Sequence, residues 1–314
     1  MKTAIKLEGV SKQFGKRTVV DNLSLETHTG EVFGFLGPNG AGKTTTIKMM
    51  VGMINIDEGN ISIYGADVRK EFEKAMSRVG AIVENPEMYK YMTGLQNLQQ
   101  YARMRKGVTR ERIQEVVELV GLSNRIQEKV SKYSLGMRQR LGVAQALLHH
   151  PKVLILDEPT NGLDPAGIRQ LRDILKNLAH KENICVLVSS HLMSEMQLMC
   201  DRVGIIDQGK LIQVTSVEEL VYQTGKEDST YRYHVDDAVG AGEVIQKYEQ
   251  CGVTVLDEEH LEVEVGGDKR NQVLAEVNRR LIDRGICLYT AAPVETQRLE
   301  DAFIELTKGE VQIV

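Results

Sequence analysis

The sequence predicts an α/β fold with a mixed sheet around a phosphate-binding loop, followed by a small α+β ferredoxin-like domain. Two apolar runs, at 153–156 and 184–188, are continuous and therefore typical of central parallel strands. The glycine-rich segment 37–44 lies between a short apolar strand and a helix start, which is the context of a phosphate-binding loop. After residue 229, the predicted order β-α-β-β-α-β is that of the split βαβ motif.

The first domain is predicted over residues 1–222, and alternating or continuous apolar runs define its strands. These strands are 4–10, 18–28, 31–36, 60–65, 79–83, 153–156, 184–188 and a hairpin over 202–211. Between about 93 and 150 the apolar period changes to 3.6 residues, which predicts a helical subdomain.

The second domain is predicted over residues 230–314, after a polar linker near 215–229. Its predicted elements are strands at 230–236, 253–257, 260–265 and 286–291, and helices at 239–250, 269–284 and 295–308. This acidic domain holds no recognisable catalytic cluster, so we expect a regulatory or dimer-supporting role for it.

The charge of the chain is uneven, and this limits its partners. The net charge of the 314 residues is −5, and the excess of acid lies after residue 215, so non-specific nucleic-acid binding by that half is not expected. The four cysteines are far apart and form no metal-binding pattern, which is typical of a reducing compartment. No apolar run reaches the roughly 18 residues of a membrane span, and no signal peptide is evident, so we expect a cytoplasmic or peripheral protein.

The segment 37–44 matches G-x-x-x-x-G-K-[ST], whose small residues allow backbone N–H groups to surround a phosphate. In this pattern Lys43 would reach the β- and γ-phosphates, and the Thr44 hydroxyl would bind Mg²⁺. The alternative is a glycine-rich turn with a surface lysine. The candidate nucleotide-binding residues of the loop are Gly37, Asn39, Gly40, Gly42, Lys43, Thr44 and Thr45.

Two carboxylates follow the buried strand 153–156. Asp157 is placed to hold Mg²⁺, and Glu158 to polarise the water that attacks the γ-phosphate. The alternative is a pair of acids that only solvate the end of a strand.

With these motifs, residues 3–215 resemble the nucleotide-binding cassette of ABC transporters, and this implies the fold of a P-loop ABC ATPase that uses ATP and Mg²⁺. Asn161-Gly162-Leu163-Asp164 stands where the family has its D-loop. His191 stands at the position of the family's switch histidine, which implies a catalytic role. Phe14 stands where an aromatic ring stacks on adenine, although a core phenylalanine is the alternative.

Two positions depart from the usual family pattern. The signature segment reads Tyr133-Ser134-Leu135-Gly136-Met137, in which Ser134 and Gly136 keep a hydroxyl and a helix start able to grip a γ-phosphate. Glu84 replaces the Q-loop glutamine and can approach Mg²⁺ or its waters, unless Asn85 does so. Both features resemble the exporter branch of bacitracin-resistance and lantibiotic-immunity ATPases.

The resemblance implies a subunit that hydrolyses ATP while paired with a second ATPase subunit, with a homodimer favoured, and that drives a separate membrane permease. Such a subunit is cytoplasmic and peripheral on the inner face of the membrane. ABC-type ATPases that act on DNA or ribosomes are the alternative class, but they carry long coiled-coil insertions or two cassettes, and this chain has neither. A GTPase would need an N-K-x-D motif, which is absent from the sequence.

Overall fold

The computed structural model describes residues 2–224, 229–247, 251–265 and 270–293. The chain divides into two compact units, Met1–Val217 and Glu218–Val314. No helix among the described residues is both long enough and apolar enough to cross a membrane.

The first unit is built on a six-stranded sheet with the strand order β10-β9-β3-β8-β7-β6. Its strands are β3 (Val32–Leu36), β6 (Val79–Ile82), β7 (Val153–Leu156), β8 (Cys185–Ser190), β9 (Arg202–Asp207) and β10 (Lys210–Ser216). The pairs are parallel except for β9 and β10, which form the predicted hairpin. Strands β3, β7 and β8 are buried along their whole length, which explains their continuous apolar sequence.

A four-stranded antiparallel sheet, with the order β2-β1-β4-β5, completes the β part of this unit. Its strands are β1 (Thr3–Phe14), β2 (Arg17–His28), β4 (Glu58–Ile63) and β5 (Ala66–Asp67). One apolar core joins this sheet to the six-stranded sheet and to the helix that follows the phosphate loop, because side chains from all three pack together. Fully buried members include Leu23, Phe33, Phe35, Ile47 and Ile155.

The first unit has seven α-helices between residues 43 and 199. They are α1 (Lys43–Met50), α2 (Phe72–Met76), α3 (Gly94–Arg103), α4 (Arg110–Leu119), α5 (Leu135–Leu147), α6 (Pro165–His180) and α7 (Met193–Met199). Helices α3, α4 and α5 form the predicted helical region, and each begins at a serine or threonine whose side chain accepts a backbone N–H.

The predicted linker at 215–229 contains regular structure that the sequence analysis did not predict. Strand β10 runs to Ser216 and helix α8 (Val217–Thr224) follows at once. Two acids in its first turn, Glu218 and Glu219, favour a helix start because they face the positive end of the helix dipole. Leu220 of this helix is buried.

The second unit has the ferredoxin-like arrangement that was predicted. Its described elements are β11 (Ser229–Val235), α9 (Ala238–Ile245), β12 (Cys251–Val255), β13 (His260–Val265), α10 (Arg270–Asp283) and β14 (Leu288–Pro293). The strands form an antiparallel sheet in the order β12-β13-β11-β14. A separate core holds it together, centred on Tyr233 and Val263. The helix predicted at 295–308 lies outside the described residues.

Candidate active site

The phosphate-binding loop occupies the connection between β3 and α1, as the sequence predicted. Gly42 precedes α1 with φ of 105°, a left-handed conformation that glycine adopts without strain. A Cβ atom on Gly42 would lie 2.7 Å from the carbonyl oxygen of Val19, and one on Gly209 would lie 2.5 Å from that same oxygen. Since glycine offers no side chain as a cap, the first N–H groups of α1 stay available to an anion.

Lys43, the first residue of α1, is buried within the loop. Its Nζ donates to the carbonyl oxygens of Gly37 at 2.6 Å and of Pro38 at 3.2 Å. The same Nζ lies 3.3 Å from Oε1 of Glu158. The ammonium group is therefore held between the loop that would surround a phosphate and the carboxylate predicted to act on water.

The two carboxylates that follow β7 have different surroundings. Asp157 is almost fully buried, and Oδ1 accepts a hydrogen bond of 2.7 Å from the hydroxyl of Ser189. Glu158 is partly exposed and takes a left-handed backbone with φ of 49°, which is uncommon for a residue with a side chain. Its backbone N–H donates to the oxygen of Ser189 at 2.9 Å. Ser189 had no place among the predicted site residues.

His191 reaches the same carboxylate from the end of β8. Its Nδ1 lies 2.7 Å from Oε2 of Glu158, so the two oxygens of Glu158 face different partners, Lys43 and His191. Parallel strands β7 and β8 are neighbours, and this explains how residues 33 positions apart meet at one edge of the sheet. The structure thus brings together the lysine, the acid and the histidine singled out from the sequence.

An open cavity of about 360 Å³ is lined by Lys43 and Glu158 of this cluster but not by His191. Its lining residues are Arg17, Val19, Asn39, Gly40, Gly42, Lys43, Thr44, Thr45, Glu158 and Asn161. A neighbouring cavity of about 460 Å³ shares Arg17, Val19, Asn39 and Gly40 and extends to Asp207 and Gln208. Arg17 was not among the site residues predicted from the sequence. A basic residue between two strands was the available signal, and it is a weak one.

The donor set fits a nucleotide with its metal. Backbone amides and a lysine suit phosphate oxygens, and a hydroxyl and a carboxylate suit Mg²⁺, which binds few protein ligands and keeps several waters. No group of three or more His, Cys, Asp or Glu side chains among the described residues could form a metal cage.

Comparisons with known proteins decide the family. The family model described as ABC transporter matches residues 20–161. YhcH, an ABC transporter ATP-binding protein of Bacillus subtilis (strain 168), is 50% identical over 315 residues, which cover 99% of each chain. The bacitracin transport ATP-binding protein BcrA of Bacillus licheniformis is 38% identical over 98% of this chain and 99% of its own length.

This chain belongs to the ATP-binding proteins of ABC transporters. A solved structure of an ATP-binding subunit of an ABC transporter matches 71% of this chain and 93% of its own, with 26% identity and a TM-score of 0.62. The predicted family and cassette fold are confirmed, and as a member of this family the chain is an ATP-binding, ATP-hydrolysing transporter subunit.

Phe14, the ABC position predicted to stack on adenine, lies at the end of β1 opposite Arg17. Its side chain is 49% exposed, so the alternative of a core phenylalanine is wrong. The Nζ of Lys12 lies 5.3 Å from the ring centroid, and Phe14 does not line the two cavities. Stacking on adenine stays a prediction.

Glu84, at the Q-loop position of an ABC cassette, follows β6 and is exposed. Its Oε1 lies 2.7 Å from Nζ of Lys48 on α1, and this hydrogen bond lowers the pKa of the Glu84 carboxyl. The residue thus contacts the helix that begins in the phosphate loop, and it does not line the cavity. The backbone at Glu84 is left-handed, with φ of 65°.

The signature segment begins α5. Ser134 caps this helix, and its hydroxyl accepts a bond of 3.2 Å from the N–H of Met137. Gly136 lies in the first turn, where an added Cβ would have ordinary contacts with Leu163 and Gly167. Neither Ser134 nor Gly136 lines the cavity above Lys43.

Proposed function

We propose that this chain is the ATPase subunit of an exporter for bacitracin-like peptide antibiotics or similar compounds, and that it drives a separate membrane permease. The observation that carries the proposal is the likeness to BcrA, which extends over 98% of this chain and therefore includes the second domain. The acidic Q-loop residue Glu84 and the signature around Ser134 support the same branch.

The site geometry supports a paired mechanism. The cavity beside Lys43 is lined by phosphate-loop residues and by Glu158, but by neither Ser134 nor Gly136. A second copy of the chain would bring its own signature over this cavity, and two-fold symmetry would give two such sites. ATP binding would then favour association, and closure would exclude water from the γ-phosphate.

Within each site we keep the roles that the sequence predicted. Lys43 would neutralise the β- and γ-phosphates, and Thr44 and Asp157 would hold Mg²⁺, with Glu84 as a further contributor. Glu158 polarises the attacking water, and His191 orients Glu158 through the bond of 2.7 Å. Phe14 stacks on adenine next to Arg17. The domain boundary near residue 222 and the supporting role of residues 230–314 belong to the same proposal.

A membrane pull-down tests the proposal. A tagged chain expressed in its native host should co-purify from membranes with a protein of about six membrane spans and should lie on the cytoplasmic face. Co-expression of the two proteins should raise the bacitracin concentration that a sensitive host survives. A chain that instead copurifies with ribosomes or DNA and with no membrane protein would refute the proposal and favour the soluble class of ABC ATPase.

A further inference from the structure

The hydroxyl of Ser189 contacts both acidic residues of the candidate active site. Ser189 lies near the end of β8 and is fully buried. Its Oγ donates to Oδ1 of Asp157 at 2.7 Å and accepts the N–H of Glu158 at 2.9 Å. One small side chain thus touches the predicted Mg²⁺ aspartate and the backbone of the predicted base.

The sheet explains why a side chain is needed at this point. The ladder between β7 and β8 ends with the pair Leu156 and Val188. The N–H of Asp157 still bonds to the carbonyl of Ile82 on the other neighbouring strand. The N–H of Glu158 lies beyond the ladder, and the Ser189 hydroxyl takes the place of the missing strand partner. A backbone N–H at such a site is costly to leave without an acceptor.

The backbone conformation of Glu158 gives this bond a further effect. A left-handed conformation is unfavourable for a residue with a side chain and persists only when its surroundings enforce it. The turn that follows is closed by the N–H of Asn161, which donates to the carbonyl of Glu158 at 3.2 Å. Together the two bonds fix the peptide groups on both sides of Glu158 and direct its side chain to Lys43 and His191.

We propose that Ser189 is a positioning residue for ATP hydrolysis, which holds one oxygen of Asp157 and aims the carboxylate of Glu158. This inference rests on the metal and base roles proposed above for Asp157 and Glu158. Because Oδ1 of Asp157 accepts the hydroxyl hydrogen bond, the orientation of this carboxylate toward Mg²⁺ or its waters would depend on Ser189. Partners that orient a metal ligand in this way typically change metal affinity or activity by about 10- to 100-fold when they are removed.

The test compares purified full-length variants in a Mg²⁺ titration of ATP hydrolysis. Ser189→Ala removes the hydroxyl, Ser189→Cys keeps the volume with a much weaker hydrogen bond, and Ser189→Thr restores the hydroxyl. We expect kcat to fall by roughly 10- to 100-fold in the alanine and cysteine variants, with a raised half-saturating Mg²⁺ concentration and a KM for ATP within a few-fold. Threonine should recover most of the rate.

A matched control separates positioning from packing. Thr27 is also fully buried, and its hydroxyl bonds the sulfur of Cys185 on β8, away from the cavity. Thr27→Val also removes a buried hydroxyl and its hydrogen bond, but it should leave the Mg²⁺ dependence unchanged.

Three results would count against the proposal. Wild-type kcat and Mg²⁺ dependence in either folded variant, Ser189→Ala or Ser189→Cys, overturns it. So does a Thr27→Val variant whose Mg²⁺ dependence shifts equally. Glu158→Gln in the same assay distinguishes failure of the Ser189 proposal from failure of the proposed role of Glu158. Near-normal hydrolysis by Glu158→Gln would refute the role of Glu158 itself. Loss of hydrolysis in Glu158→Gln together with normal hydrolysis in Ser189→Ala would refute the Ser189 proposal alone.

Discussion

Replacing Glu158 by glutamine tests the centre of the proposed mechanism. The two oxygens of Glu158 face Lys43 at 3.3 Å and His191 at 2.7 Å, and an amide has only one oxygen. That oxygen can face the ammonium group while the NH₂ group donates to Nδ1 of His191, which can accept in its other tautomer. Both contacts therefore survive, and we expect the free energy of unfolding to change by only about 1–2 kcal/mol.

We expect a much larger effect on the rate of ATP hydrolysis than on the free energy of unfolding. Loss of a general base slows a reaction by about 10²–10⁴-fold, equivalent to roughly 3–5 kcal/mol in the activation barrier. ATP affinity should be kept, because Lys43 and the loop amides remain. The variant should accumulate as an ATP-bound dimer, which size-exclusion chromatography with and without ATP would detect.

The assay measures phosphate release, ATP binding and dimer formation on the same preparation. Glu182→Gln is a suitable control, because it makes the same chemical change in the exposed turn before β8, at the opposite end of that strand from His191. Turnover of Glu158→Gln close to that of the control would refute the assignment of the base.

The other predictions concern the loop, the metal and the second domain. Lys43→Ala should weaken ATP binding by roughly 10- to 100-fold, since it removes a charged donor to the phosphates, and unchanged equilibrium binding would contradict the loop assignment. Glu84→Gln should keep ATP affinity within a few-fold, whereas Glu84→Ala should alter the Mg²⁺ dependence of hydrolysis more than ATP binding; identical Mg²⁺ titrations in all three proteins would instead favour Asn85. A chain ending at residue 222 should still bind ATP, and a folded truncate without binding would show that the second domain contributes to the site.

Sequence reasoning succeeded where chemistry and periodicity act locally. The phosphate loop is specified by eight consecutive residues, and β7 and β8 by apolar runs that only a buried parallel strand tolerates. The alternation of β11 and β13 likewise predicted the sheet of the second unit. Helix α8 was missed because its polar residues are typical of a linker, and its helical start depends on acids near a helix dipole.

The contacts between distant segments could not be predicted from the sequence. Ser189 looks like an ordinary polar end to an apolar strand, and only the register of β8 against β7 places its hydroxyl between Asp157 and Glu158. The pairing of Glu84 with Lys48 joins residues 36 positions apart, and no local pattern indicates it. Such contacts depend on which strands become neighbours.

Gly42 and Gly209 both pack against the carbonyl group of Val19, and this close packing joins three segments of the active site. Neither glycine could carry a methyl group without approaching the Val19 carbonyl oxygen within 2.7 Å. The N–H of Gly209 also donates to the carbonyl of Ala41, and its carbonyl accepts the N–H of Asp21, both at 2.9 Å. Strand β2, the phosphate loop and the β9–β10 turn are thus held in close backbone contact.

Arg17 at the start of β2 and the phosphate loop both line the cavity, and they therefore belong to one closely packed set of segments. We therefore expect the difference between a bound triphosphate and a bound diphosphate to be transmitted through side-chain contacts that can break and re-form. Two such contacts lie next to these segments. One joins Glu158 to His191, and the other joins Lys48 to Glu84.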